Sequence, residues 1–115
     1  MAKKTVESRI KKEVKRLTEI FQDIDPKRKS TTEGLIQRAA FMRVQLEDLE
    51  LEINANGFTE EFSQGNQDPY LRERPTSKIY NTLNANYQKI IKQLTDLLPK
   101  DDPDSRSGGD DFDNF

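Results

Sequence analysis

Residues 30–53 decide the fold class: Ser30-Thr31-Thr32-Glu33-Gly34-Leu35-Ile36-Gln37-Arg38-Ala39-Ala40-Phe41-Met42-Arg43-Val44-Gln45-Leu46-Glu47-Asp48-Leu49-Glu50-Leu51-Glu52-Ile53. Within it, Leu35, Ala39, Met42, Leu46, Leu49 and Ile53 alternate steps of four and three, the spacing of a seam between packed helices. Ile36, Ala40 and Phe41 widen the apolar face beyond a narrow seam, so this helix needs more than one neighbour. Ser30-Thr31-Thr32-Glu33 reads as a capping box at its start. Asn54-Ala55-Asn56-Gly57 supplies the stop, with the glycine suited to a left-handed closing residue.

Upstream, Val6, Ile10, Val14, Leu17, Ile20, Phe21 and Ile24 recur at helical spacing, which predicts a first helix from about Thr5 to Ile24. Thr5 is its expected cap, and Asp25-Pro26 breaks the pattern because proline disfavours helix in the residue before it. Downstream, residues 58–74 show no sustained period and contain Gly65, Asn66, Asp68 and Pro69. They read as a loop anchored by Phe58, Phe62 and Tyr70. A connector of that length is expected to be functional or to reach another subunit. Arg74-Pro75 opens a third helix whose stripe is Ile79, Leu83, Tyr87, Ile90, Leu94 and Leu97, and Pro99 closes it. Beyond Pro99 the run from Lys100 to Gly109 has neither period nor apolar content and reads as a disordered linker.

The expected architecture is therefore all-α: three long amphipathic helices assembling as a helical oligomer, with a disordered acidic C-terminal tail. Its parts are a basic N-terminal helix over 1–29, a helical hairpin and oligomerisation core over 30–99 with a loop at 57–75, and the tail at 100–115. Composition points toward assembly. Of the 115 residues only 32% are hydrophobic and 35% are charged, against about 45–50% (glycine included) and about 25% in ordinary globular chains. A core of that size is small for a chain standing alone.

There is no cysteine and no histidine. That removes disulfides, thiolate zinc sites and the side chain that most readily moves protons near neutral pH. Glu60-Glu61 and Asp110-Asp111 are adjacent acids of the ordinary solvated kind, and no phosphate-cradling Gly-x-x-x-x-Gly-Lys loop exists. The expectation is a protein that is not an enzyme and needs no cofactor. No stretch has the apolar length of a membrane span, and Met1-Ala2-Lys3-Lys4 leads into charged sequence, so a cytosolic location is expected.

The net charge of −2 conceals a polarity. Residues 1–30 carry ten Lys/Arg against five Asp/Glu, residues 31–100 eight against ten, and residues 101–115 one against six. Such asymmetry speaks of partners. On a helix Arg9, Lys12 and Arg16 share one face and can track a phosphate backbone, while Lys27-Arg28-Lys29 stands just before the second helix, whose N-terminus favours anions. The same row serves equally as the solvated face that any amphipathic helix needs. Asp110-Asp111-Phe112-Asp113-Asn114-Phe115 sets two aromatics among acids on a tether, a form suited to docking on a partner's groove, or to a solubilising tail.

The run Glu33-Gly34-Leu35-Ile36-Gln37-Arg38-Ala39-Ala40-Phe41-Met42-Arg43, the segment Arg72-Glu73-Arg74-Pro75, the helix Lys78-Ile79-Tyr80-Asn81-Thr82-Leu83-Asn84-Ala85-Asn86-Tyr87 and the Asp-Phe end at 110–115 together resemble the small terminase subunits of tailed double-stranded-DNA bacteriophages. The resemblance implies a phage DNA-packaging factor in the host cell cytoplasm. Such a factor forms a ring-like homo-oligomer, binds double-stranded viral DNA and recruits or stimulates the large terminase subunit that carries the ATPase and nuclease. On that expectation DNA meets Lys3, Lys4, Arg9, Lys12, Arg16, Lys27, Arg28 and Lys29, with Arg72, Arg74 and Lys78 as a second patch. Asp111, Phe112 and Phe115 dock the large subunit. The rival expectation is a helical assembly or scaffold protein that binds other proteins and not nucleic acid.

Overall fold

The computed structural model describes residues 5–100; the expectations that concern Lys3, Lys4 and the tail residues Asp111, Phe112 and Phe115 lie outside the described residues. Three helices form, in the places their apolar stripes dictate: α1 Val6–Ile20, α2 Lys29–Asn56 and α3 Pro75–Leu97. Between α2 and α3 stand two short strands, β1 Thr59–Phe62 and β2 Tyr70–Glu73. The mostly helical expectation holds, and the strands are an addition to it.

The helix ends show which local signals prevail. Thr5 caps α1 as expected, its hydroxyl accepting from the Ser8 amide at 3.0 Å. α1 ends at Ile20, a turn earlier than its apolar pattern, yet Phe21 and Ile24 remain in the core. The expected capping box at residues 30–33 does not form, because helical turns begin sooner. Asp25 accepts from the Lys27 amide at 3.0 Å and Pro26 opens a 3-10 turn over Pro26–Arg28, which runs directly into α2. An acidic cap followed by proline in the first turn is the stronger start signal, since the proline's φ is already helical and its missing N–H costs nothing there. Thr32 then sits inside the helix, its hydroxyl donating to the Arg28 carbonyl at 2.8 Å. Pro75 opens α3 behind the extended Arg74, and the helix stops before Pro99, both as the sequence indicates.

α2 is the shared support. α1 and α3 both pack on it and touch one another little. Both run antiparallel to it: Arg9 reaches Asp48 while Glu13 lies by Arg43, and Arg74 reaches Glu52 while Tyr87 meets Arg43. Ile36, Ala40 and Val44 follow one flank of α2 at steps of four, and Ala39, Leu46 and Ile53 follow the other at steps of seven; all six are buried. Ala39 and Ala40 are fully buried, so the partner helices approach the α2 backbone closely. Leu17, Phe21 and Ile24 close the core from the α1 side, and Tyr87, Ile91 and Leu94 from α3.

The segment expected to be a loop, 57–75, is a β-hairpin. The strands pair antiparallel in the register Thr59↔Glu73, Glu60↔Arg72, Glu61↔Leu71 and Phe62↔Tyr70. Two cross-strand pairs explain it. Arg72 donates to Glu60 at 2.8 Å and lies 3.5 Å over the centre of the Phe62 ring, which meets Tyr70 edge-on. Four-residue strands are too short to display a period, so this complementarity emerges only once the register is known.

Two carbonyls tie the hairpin to the helices. Gly57, at φ 83° and ψ 174°, ends α2, and its amide donates to Ile53. The Gly57 carbonyl accepts from Arg74 at 2.6 Å, while the Phe58 carbonyl accepts the Arg74 amide at 2.9 Å and the buried Ser77 hydroxyl at 2.8 Å. Arg74 also pairs with Glu52, and this hydrogen bond holds the Glu52 carboxyl below its usual range.

Two outcomes follow for stability. Gly57→Ala, which meets open space but must hold a conformation nearly exclusive to glycine, is expected to destabilise by about 1–3 kcal/mol in denaturant titration. The folded state lowers the pKa of Glu52 through its hydrogen bond from Arg74, so it binds fewer protons there than the unfolded chain does. The contribution is present above the unfolded carboxylate pKa and lost as pH falls through the folded one. Glu52→Gln is expected to flatten the loss of melting temperature below about pH 4.5 and to leave a smaller slope than the parent chain.

Candidate nucleic-acid interface

The outward side of α1 meets α2 along a groove of about 510 Å³ lined by Arg9, Lys12, Glu13, Lys15, Arg16 and Glu47, among others. Its cations divide into two kinds. Arg9 donates to Asp48 at 2.8 Å and to Glu47 at 3.3 Å, with about a quarter of its side chain exposed. Arg16 binds both oxygens of Glu13, at 2.8 and 2.6 Å. These two guanidiniums therefore do not form an open row with Lys12, as the helical spacing alone implies. Arg9 fastens α1 to α2, Arg16 is held by Glu13 within α1, and Lys12 stays exposed with no ion pair among the described residues.

Glu13 is the centre of this seam. Its side chain is only 11% exposed, and besides Arg16 it has the Arg43 Nε at 3.7 Å. Arg43 in turn donates to the Tyr87 hydroxyl at 3.3 Å and stands 3.9 Å from Glu47, so one side chain bridges all three helices. Hydrogen bonding to Asp48, Glu13 and Tyr87 respectively pushes Arg9, Arg16 and Arg43 further above their already high ordinary range. These charges are permanent at any physiological pH. The sequence does carry the signal for this junction: Glu13 and Arg43 are charges set inside apolar stripes, where a partner is obligatory.

Unpaired positive charge stands along α1 and the turn that follows it. Lys12 and Lys15 line the groove; Lys27 and Arg28 stand on the 3-10 turn that follows α1; Lys29 opens α2 with a loose 3.9 Å contact to Glu33, both ends largely exposed. Among the described residues Lys12, Lys15, Lys27 and Arg28 make no ion pair, and all four are exposed. Lys15 belongs to this set although the row Arg9, Lys12, Arg16 passes over it; its signal is the i, i+3 relation to Lys12.

The second expected patch separates into unlike pieces. Arg72 is engaged with Glu60 and Phe62, and Arg74 with Glu52 and the Gly57 carbonyl, so both maintain the hairpin. Lys78 is exposed and unpaired among the described residues, on α3, away from the α1 groove. Among the described residues no group of acidic side chains could hold a metal ion, and no helix is long and apolar enough to cross a membrane.

Removing the seam's acid and removing a free lysine should differ sharply. Glu13→Ala leaves Arg16 without its partner and takes one of two carboxylates from Arg43, and is expected to cost about 1–3 kcal/mol in chemical unfolding, whereas Lys12→Ala should stay within about 0.5 kcal/mol of the parent. Comparison of the chain with protein-family models, with curated proteins and with solved structures gives no match.

Proposed function

We propose that this chain is a DNA-packaging factor of the small terminase kind, which binds double-stranded viral DNA as a homo-oligomer and recruits or stimulates the large ATPase and nuclease subunit in the host cytoplasm. The observation that carries the reading is the separation of cations by role. The arginines at the helix seams are internally satisfied, while Lys12, Lys15, Lys27, Arg28 and Lys29 remain available along α1 and the turn after it. Phosphates need unspent charge, and Lys12, Lys15, Lys27 and Arg28 supply it on α1 and its exit, while Arg38, Lys78, Lys89 and Lys100 are exposed and unpaired elsewhere among the described residues.

Exposed apolar side chains support assembly. Val6, Leu51, Phe58, Tyr70 and Leu71 are all exposed, and all lie at the hairpin end of the bundle: α1 begins there, α2 ends there and α3 starts there. A patch of this kind marks an interaction surface. Several copies joined through it would present several lysine clusters to one duplex, and each contact after the first is intramolecular. Asp111, Phe112 and Phe115 are the residues proposed to engage the large subunit.

The rival reading, a protein-binding scaffold without nucleic acid, draws on the same pairing of Arg9, Arg16, Arg72 and Arg74, which removes four cations from the candidate interface. Mobility-shift titrations decide between the two. If about four phosphates are neutralised per copy, affinity for a duplex should fall about a hundred-fold between about 50 and 200 mM salt. Combined Lys12→Glu, Lys15→Glu, Lys27→Glu and Arg28→Glu should abolish binding with the helical circular-dichroism signal intact, because these side chains hold nothing inside the bundle. Absence of binding by the parent chain at low salt, or binding indifferent to both changes, would establish the scaffold reading instead.

A further inference from the structure

α3 carries more apolar surface than its packing on α2 consumes. Ile79 is 58% exposed, and with Pro75, Thr82, Leu83 and Asn86 it lines a trough of about 500 Å³ along the first half of the helix. These positions follow steps of three and four, so they form a stripe along α3 beside the side that carries the buried Ser77, Tyr87, Ile91 and Leu94, with the half-buried Leu83 at its edge also packing on the core. Lys78 is the one charged residue lining the trough, and it makes no ion pair among the described residues.

We infer that this trough is the docking site for the chain's own acidic aromatic segment, residues 110–115, with Phe112 and Phe115 seated on Ile79 and Leu83 and the neighbouring aspartates facing Lys78. Three quantities on the molecule favour that occupant. The first is reach. Phe112 stands twelve positions beyond Lys100, a contour of about 40 Å when extended. The path back along α3 from Leu97 to Leu83 is fourteen residues, or about 21 Å of helix.

The second is the match between span and linker. A glycine- and serine-containing chain of twelve residues has a root-mean-square span of about 19 Å, close to that path, and effective concentration is greatest when the two agree. The third is charge: residues 101–115 carry six acids against one arginine, and the trough offers an unspent lysine beside apolar side chains. Docked in this way, the two phenylalanines are withheld from other proteins until something displaces them. The inference does not depend on DNA binding.

Because the chain lacks cysteine, engineered thiols report the contact in the full-length protein. In the variant Thr82→Cys with Asp113→Cys, mild oxidation is expected to form an intrachain disulfide about ten-fold faster than in Asn81→Cys with Asp113→Cys, whose cysteine has the same reach but lies on another side of α3. Adding Phe112→Ala and Phe115→Ala should reduce the faster rate to the slower one. In cysteine-free full-length protein, the Ile79 methyl resonances should move on Phe112→Ala and Phe115→Ala while those of the buried Ile36 stay in place. Equal rates for the two cysteine pairs, a preference that survives loss of both phenylalanines, disulfides formed only between two copies, or an unmoved Ile79 would each overturn the inference.

Discussion

α2 carries apolar residues on two flanks, and no arrangement with water on either side satisfies both. Ile36, Ala40 and Val44 on one side and Ala39, Leu46 and Ile53 on the other oblige two helices to cover it, and the chain supplies one from each direction. The remaining architecture is a consequence of that demand. α1 and α3 have α2 in common and little contact with each other, so their relative placement is fixed through side chains that cross the shared helix. Arg43 is the clearest case, reaching Glu13 on α1 and Tyr87 on α3 from a single position.

Burial also dictates how charge is used. A carboxylate as enclosed as Glu13 is tolerated only with cationic partners, and it takes Arg16 and Arg43. Guanidinium groups suit such work because their fork of donors matches a carboxylate and their charge does not titrate. Lysines, whose compact ammonium groups stay strongly hydrated, are left at the surface. The division of labour between Arg9 and Arg16 on one hand and Lys12 and Lys15 on the other therefore follows from side-chain chemistry as much as from position, and it gives α1 an inner structural edge and an outer available one.

Much of this was legible in the residues. The three stripes fix three helices, and Thr5, Gly57, Pro75 and Pro99 fix most of their ends, because caps and breakers act over a few residues and need no tertiary context. Two local signals compete for the start of α2, and Asp25-Pro26, which comes first along the chain, prevails over the capping pattern at residues 30–33. The hairpin has no periodic trace in the sequence because its stabilising pairs, Glu60 with Arg72 and Phe62 with Tyr70, become neighbours only through the strand register. For the candidate interface, composition points to α1 and the turn beyond it, where Lys12, Lys15, Lys27 and Arg28 stand exposed and without an ion pair among the described residues. It did not give which cations are spent, since Glu47 and Asp48 are almost forty positions from Arg9 and only the antiparallel packing brings them together.

The attachment of the hairpin has a mechanical consequence. The carbonyls of two adjacent residues, Gly57 and Phe58, are gripped by Arg74 and Ser77 at the beginning of α3. The ribbon from residue 59 to 73 is thus clamped at its base like a lever arm, with the last turn of one helix and the first turn of the next forming the vice. A load applied at the tip, around Gly65, is delivered to α2 and α3 together and cannot be absorbed by the base swinging freely.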